Sequence, residues 1–531
     1  MIFDMLRKRN GNWKDDTLSG LTVALALVPE AIAFSFIAKV DPLVGLWAAV
    51  FLGFITSSFG GRPGMISGAT GAIAVVVAKV VDIGNQAGLE RGIDNLGLQY
   101  LFATVMIAGV IQILFGIGKL GRFVRLVPHP VMMGFVNGLA IVILMSQFAS
   151  FKDASGEWLP IDERVMMCIL AAVTMAIIQF LPKLTNAVPS ILVAIVVVGG
   201  ASYFNLFDTK TIEDVLLGGD KVNGVPPTGE LKGSFPPFAW PGDIVWNKVT
   251  LILIVGTAFS AAMVGIIESL MTLQLIDDMT ETRGSGNREC LAQGSANFLS
   301  GLFGGMGGCA MIGQSLINIK SGGRGRWSGI VAALALAIFI MVGGPVIVQI
   351  PVAALVGVMF MVVIGTFEWS TLKTWGRVPF HDIFVILAVT LITVFMHNLA
   401  LAVFVGVILS ALVFAWESAK HVRMRRDDSQ EGVRIYNLQG VLYFGSVREF
   451  GERLVPSNDP DEVIIDFKDA RVADFSSLEV LNAITERYKS AGKRVRLRHL
   501  SPSCAKMIDS ASELVTVEMA DDDPHYEPAN L

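Results

Sequence analysis

Mostly apolar stretches separated by short polar runs fill the first 420 positions. They fall near 18–38, 43–59, 65–82, 98–118, 128–149, 164–182, 186–204, 248–275, 290–304, 308–319, 327–344, 346–367, 380–396 and 399–419. Most reach about 18 residues, enough for a helix to cross about 30 Å of hydrocarbon; those at 290–304 and 308–319 are short. Glycine-rich, turn-like sequence introduces the third and tenth segments, RPGMISGATGA at 62–72 and GLFGGMGGCAMIG at 301–313. These hold matching places in two sets of seven, the pattern of inverted repeats with a binding site between interrupted helices. In the first segment, TVALALVPEAIAFSFIA, Pro29 and Glu30 interrupt the apolar run, which predicts a broken helix whose freed backbone lines a cavity.

The pattern changes after RMRRDDSQEG at 423–432. RIYNLQGVLYFG predicts a hairpin, EVIIDF a buried strand, SSLEVLNAITERYKSAG an amphipathic helix and KRVRLRHL another strand. The arginine-rich joint is the expected boundary between a membrane domain, 1–425, and a soluble α/β domain, 426–531.

Composition supports this division: 53% of residues are hydrophobic and 16% charged, against about 25% charged in ordinary soluble domains. A water-soluble enzyme is excluded, and a polytopic helical protein of the cytoplasmic (inner) membrane is expected. The net charge of −5 matters less than the placement of basic residues. Arg62, Lys119, Arg122, Arg125, Lys183, Lys320, Arg324, Arg326, Lys373, Arg377, Arg423, Arg425 and Arg426 share one side when the N-terminal MIFDMLRKRNGNWKDD is a retained cytoplasmic stub. Both termini are then cytoplasmic, and the stretches 83–95 and 205–246 are outside loops. Cys168, Cys290, Cys309 and Cys504 lack CxxC or Cys/His spacing and read as small buried hydrophobes. The six histidines, His129, His381 and His397 among them, show no metal spacing, no GxxxxGK[ST] loop occurs, and no basic patch suggests nucleic acid. No enzymatic role, resident cofactor or metal is indicated.

The chemistry lies with the interrupted segments. A helix that begins at membrane depth presents unpaired N–H groups and about half a positive charge, which attract an anion without a cationic side chain. Ser67, Ala69, Thr70 and Gly71 on one side and Gly308, Cys309, Ala310 and Met311 on the other form such a pair. Close helix packing is the competing explanation of the glycines. In IIESLMTLQLIDD at 266–278, Glu268 sits in an apolar run with Thr272 one turn on, whereas Asp277 and Asp278 read as helix-end charges. A carboxylate at membrane depth faces a protein interior or a cavity. Glu30 and Glu268 could each carry a proton, hold Na⁺ or hydrogen-bond while neutral; for Glu268 a packing role is the alternative.

PEAIAF at 29–34, PLVGLW at 42–47, SGATGA at 67–72 and SLINIKSGGRGR at 315–326, followed by a soluble tail, together resemble the SulP (sulfate permease) family, whose animal relatives include prestin and pendrin. The resemblance implies about 14 transmembrane segments in a 7+7 inverted repeat, with half-helices at the third and tenth, core and gate parts, elevator-type movement, a cytoplasmic STAS domain and a homodimer. It places Glu30 and Phe34 at the anion site, where the family's first-helix motif carries glutamine and an aromatic. Glu268 and Thr272 match the cation-coupling acid and threonine of sodium-coupled bicarbonate relatives. Gln314 stands where many members carry a basic residue, and Ile312 where bicarbonate-type members carry threonine. In DFSSLEVL at 474–481, Ser476 and Ser477 partly match a serine loop phosphorylated in some STAS domains, with helix capping the competing reading.

The expectation is a secondary active transporter of a small inorganic or carboxylate anion, sulfate or bicarbonate first and C4-dicarboxylates next, coupled to Na⁺ or H⁺. An uncoupled anion channel, a STAS-based signalling protein and a nucleobase transporter sharing the fold are the alternatives.

Overall fold

Each of the fourteen apolar stretches coincides with a helix in the computed structural model: α1 (Trp13–Ala38), α2 (Pro42–Phe59), α3 (Gly71–Arg91), α4 (Leu96–Ile117), α5 (His129–Gln147), α6 (Ile161–Leu184), α7 (Ser190–Tyr203), α8 (Lys248–Thr280), α9 (Gly286–Leu302), α10 (Ile312–Lys320), α11 (Arg326–Ile347), α12 (Val352–Thr366), α13 (Phe380–Met396) and α14 (Leu399–Ala419). Strands β1 (Ser67–Ala69) and β2 (Gly308–Ala310) precede α3 and α10. The structure describes residues 12–121, 127–152, 157–185, 190–204, 209–212, 214, 235–347, 349–374, 376–396, 399–419, 422–430, 432–502, 504, 506 and 518–519. Residues 1–11, Arg122, Arg125, His397 and most of the polar stretch 205–246 lie outside the described residues. Among the described residues, nine helices are long and apolar enough to cross a membrane.

Three expectations about these helices change. Pro29 does not break α1, which runs unbroken for 26 residues. The proline removes one N–H and leaves the Leu25 carbonyl without its helical donor, while burial of every residue from Pro29 to Ser35 holds the chain helical. Part of the expected N-terminal stub is also helical: Asn12 accepts from Lys14 N, and Asp15 and Asp16 lie in the first turn, where the helix dipole favours acids. The third segment is no half-helix. It takes in most of the expected loop 83–95, running 21 residues until Gly92 adopts φ 68°, and α10, at nine residues, is the short one.

The chain divides into two compact units, residues 1–407 and 408–531. Within the first, α1–α4 and α8–α11 pack around the two strands, and α5, α6, α7, α12 and α13 pack mainly with one another. Small residues set the close approaches. At Gly109 and Gly294, where α4 meets α9, an added Cβ would lie 2.6 Å from the partner's backbone, the small-residue contact typical of membrane helices.

The second unit holds a five-stranded sheet in the order β3 (Arg423–Gln430), β4 (Val433–Leu442), β5 (Glu462–Val472), β6 (Arg494–Arg498), β7 (Glu518–Met519), with helices α15 (Val447–Arg453) and α16 (Phe475–Ser490). The first strand pair is antiparallel and the others parallel. The expected hairpin in 434–445 lies one strand earlier. The arginine-rich joint is itself β3, turning at Gly432 (φ 81°) into β4. Hydrogen bonds from Arg426 and Arg434 hold the exposed Asp428 below the usual carboxylate range, at about 2, so this charge-dense strand carries its own counter-ions. The serine-cap reading also gives way. Asp474 caps α16, accepting from Ser477 N at 3.0 Å and Ser477 Oγ at 2.7 Å.

Candidate functional site

β1 and β2 pair antiparallel, with Ser67 opposite Ala310, Gly68 opposite Cys309 and Ala69 opposite Gly308. A Cβ at Gly308 would lie 2.0 Å from the Gly68 carbonyl oxygen, so only glycine allows this approach. Because the strands run in opposite directions, α3 and α10 leave from opposite ends of the ladder. Their N-caps, Thr70 and Met311, each lie one residue beyond the ladder and face each other across about 14 Å, four steps of about 3.4 Å along the strands.

A buried polar lattice fixes the ladder. Gln293 Nε2 and Asn297 Nδ2 each donate to the Gly308 carbonyl at 3.0 Å, and Gly308 N donates to Asn297 Oδ1 at 2.9 Å. Ser67 Oγ donates to Gln293 Oε1 at 3.2 Å, and Asn297 Nδ2 also donates to Gln112 Oε1 at 2.8 Å. On the α10 side, Ile66 N donates to Ser315 Oγ at 3.0 Å. Sequence reasoning missed Gln112, Gln293, Asn297 and Ser315. Amides at 293 and 297, one turn apart on α9, were the available signal.

Both helix ends lack a side-chain cap: neither Thr70 before α3 nor Met311 before α10 makes a capping bond. First-turn N–H groups, buried at α3 and partly exposed at α10, are thus left for another partner. Thr70 Oγ1 lies 3.2 Å from Cys309 Sγ, and the Cys309 thiol donates to Glu268 Oε2 at 2.9 Å. Ala310 N donates to Ser269 Oγ at 3.1 Å. Thr272 Oγ1 donates to the Glu268 carbonyl at 2.8 Å and lies 3.5 Å from the Ala310 carbonyl. On the other flank, Phe34 covers Gly71, where an added Cβ would lie 2.9 Å from Phe34 Cε1. Glu30, one turn before Phe34 and 7% exposed, faces Gln314. Gln314 is fully buried, yet neither its oxygen nor its nitrogen has a partner at hydrogen-bonding distance and angle.

The predicted residues of the membrane domain therefore gather around one ladder, with distinct placements. Ser67, Ala69, Gly308, Cys309 and Ala310 are its framework; Thr70, Gly71, Met311 and Gln314 stand at the two helix starts; Ile312 and Glu268 are half-buried. Gly313 is exposed, and an added Cβ there would meet nothing within 4 Å. Ser476 and Ser477 belong to the other unit. Cys168 is exposed, against expectation, because α6 has few buried positions. Asp277 is more than a helix-end charge: it pairs with the buried Arg62 at 3.2 Å and both its carboxylate oxygens accept from Gly284 N at 2.9 Å. Glu289, also buried and overlooked, accepts from Gly61 N at 2.7 Å. A cavity of about 870 Å³ beside Asp277, Asp278 and Glu281 does not include the ladder residues in its lining. Among the described residues, no cluster of three or more metal-ligating side chains forms.

Two strand-led helices meeting end to end inside a helical membrane unit, followed by a soluble α/β unit, define a multi-pass membrane protein of the anion-transporter class. The chain belongs to the Sulfate permease family, matching it over residues 13–390, and carries a STAS domain over 426–519. It is 40% identical over 506 residues to a Bacillus subtilis protein named as a sulfate transporter, YbaR, covering 95% of this chain and 98% of that one. It is 30% identical to the bicarbonate transporter BicA of Picosynechococcus, covering 90% and 87%. The solved transmembrane domain of a cyanobacterial BicA superposes with a TM-score of 0.62 at 30% identity, over 76% of this chain and 98% of that one. The murine Solute Carrier 26 family member A9 in its inward-facing state shares the fold, with a TM-score of 0.77 at 19% identity, over 96% and 89%.

Proposed function

We propose that the protein is a secondary active carrier of small anions, sulfate or hydrogencarbonate, held between the N-termini of α3 and α10, with Glu268 coupling its movement to a cation. The observation that carries this reading is the pair of uncapped helix ends on one buried ladder, with Thr70 and Cys309 between them. Two such ends offer about one positive charge in total and several N–H donors to an anion. Glu268 reaches the same ladder through Cys309, so a change of charge there is felt where the anion sits.

The coupling ion is Na⁺ or H⁺. For Na⁺, the oxygen set is the free Glu268 oxygen, Thr272 Oγ1 and the Ala310 carbonyl. The thiol proton on Glu268 Oε2 already fills one direction of that carboxylate, which makes a proton the simpler partner. Separate packing of the α5–α7, α12 and α13 group from the ladder-bearing group supports elevator-type alternating access. Both termini are placed in the cytoplasm, with the STAS unit there in a homodimer, where Ser476 and Ser477 are candidate regulatory positions. Uptake of labelled sulfate and hydrogencarbonate into proteoliposomes under an imposed Na⁺ or pH gradient tests the function. Uptake indifferent to both gradients would remove coupling, and no uptake of any small anion would remove the carrier.

A further inference from the structure

Resting on that reading, we infer that Glu30 and Gln314 make the site selective for a monovalent oxyanion that brings its own O–H, such as hydrogencarbonate, over proton-free dianions such as sulfate. The α10 end of the site is not simply a collection of donors. Gln314 presents one unpartnered carbonyl and one unpartnered NH₂ within a fully buried side chain. Glu30 faces it, and among the described residues no cationic side chain answers Glu30. The adjacent Gly313 is exposed beside open space, which leaves room for a ligand at this turn.

A dianion with four acceptor oxygens and no hydrogen would satisfy the helix N–H groups and the Gln314 NH₂. It would also leave the Gln314 carbonyl unpaired and stand against the Glu30 carboxyl, with two negative charges against about one positive. A singly charged oxyanion with one O–H balances the helix ends and donates to Gln314 Oε1 or to Glu30. Sites built to accept a ligand hydrogen reject analogues that lack it far more strongly than apolar pockets reject size changes. Phe34, packed over Gly71, covers the α3 end of the site.

The test is uptake of labelled hydrogencarbonate and labelled sulfate by the full chain in proteoliposomes, corrected for the CO₂ leak of protein-free vesicles. The parent is expected to favour hydrogencarbonate at least about tenfold, and excess sulfate is expected to leave that uptake unchanged. Glu30→Gln should reduce the preference about tenfold by admitting sulfate, while Glu30→Asp, which keeps the acid, retains it. Should Glu30→Gln fail to fold, sulfate competition against the parent decides. Sulfate carried or competing as well as hydrogencarbonate, or an unchanged ratio in folded Glu30→Gln, overturns the selectivity while leaving the carrier in place. If folded parent protein moves neither anion, the carrier reading fails and the selectivity falls with it.

Discussion

Glu30 and Glu268 flank the same strand ladder but are wired differently. Glu268 is half-buried and tied by the Cys309 thiol to the middle of β2, opposite Gly68. Glu30 is almost fully buried and faces an amide with no partner of its own. An acid connected to the framework can report its charge to that framework, whereas an acid facing an unsatisfied amide acts on whatever enters beside it. On the proposed reading, coupling falls to one and selection to the other, although both look alike as single carboxylates in apolar helices.

The largest effect is expected from removing what both acids share. Gly308→Val would put side-chain atoms where the Gly68 carbonyl now sits, separating the strands. No monodisperse protein is expected by size-exclusion chromatography; a folded, transporting variant would show that the ladder does not organise either acid. Next, Glu268→Gln should abolish the dependence of uptake on an imposed gradient, a coupling worth about 10–100-fold in accumulation, while anion binding measured in detergent stays within about threefold. If binding collapses instead, Glu268 belongs to the anion site and the division of labour is wrong. Gln314→Leu removes the unpartnered donor and acceptor and is expected to weaken hydrogencarbonate binding about tenfold without altering gradient dependence, which calorimetric titration can read. The smallest change is expected from Cys309→Ser. A hydroxyl still donates to Glu268, so transport should shift no more than about threefold, whereas Cys309→Val, which cannot donate, should approach Glu268→Gln in the same gradient assay.

Glu268 and Glu30 were both legible in the sequence because a lone carboxylate in an apolar helix is costly unless it faces the protein interior. Glycine runs at matching places marked the two strand-led helices for a similar reason: only glycine permits the approach of Gly308 to Gly68. The polar lattice was not legible. Gln112, Gln293 and Asn297 come from helices far apart in the chain, and nothing local to an amide says which carbonyl it will meet. Pro29 misled because proline's local cost is plain in sequence whereas the burial that outweighs it belongs to the tertiary structure. Asp277 misled in the same way, since its partner Arg62 lies in the loop before β1. In the soluble unit, the run of arginines gives no local sign of a strand, because its counter-ion Asp428 and the pairing strand come together only once β3 and β4 are side by side.

On the proposed function, one anion sits between the two helix ends. Hydrogenselenite is a proton-bearing monoanion with an anomalous scatterer, so the crystal structure of the full chain at saturating hydrogenselenite would locate it directly. A single anomalous peak is expected within hydrogen-bonding reach of the first-turn N–H groups of α3 and α10, beside Gln314. A peak only at the basic side chains Arg62 and Arg324, with none at the ladder, would contradict it.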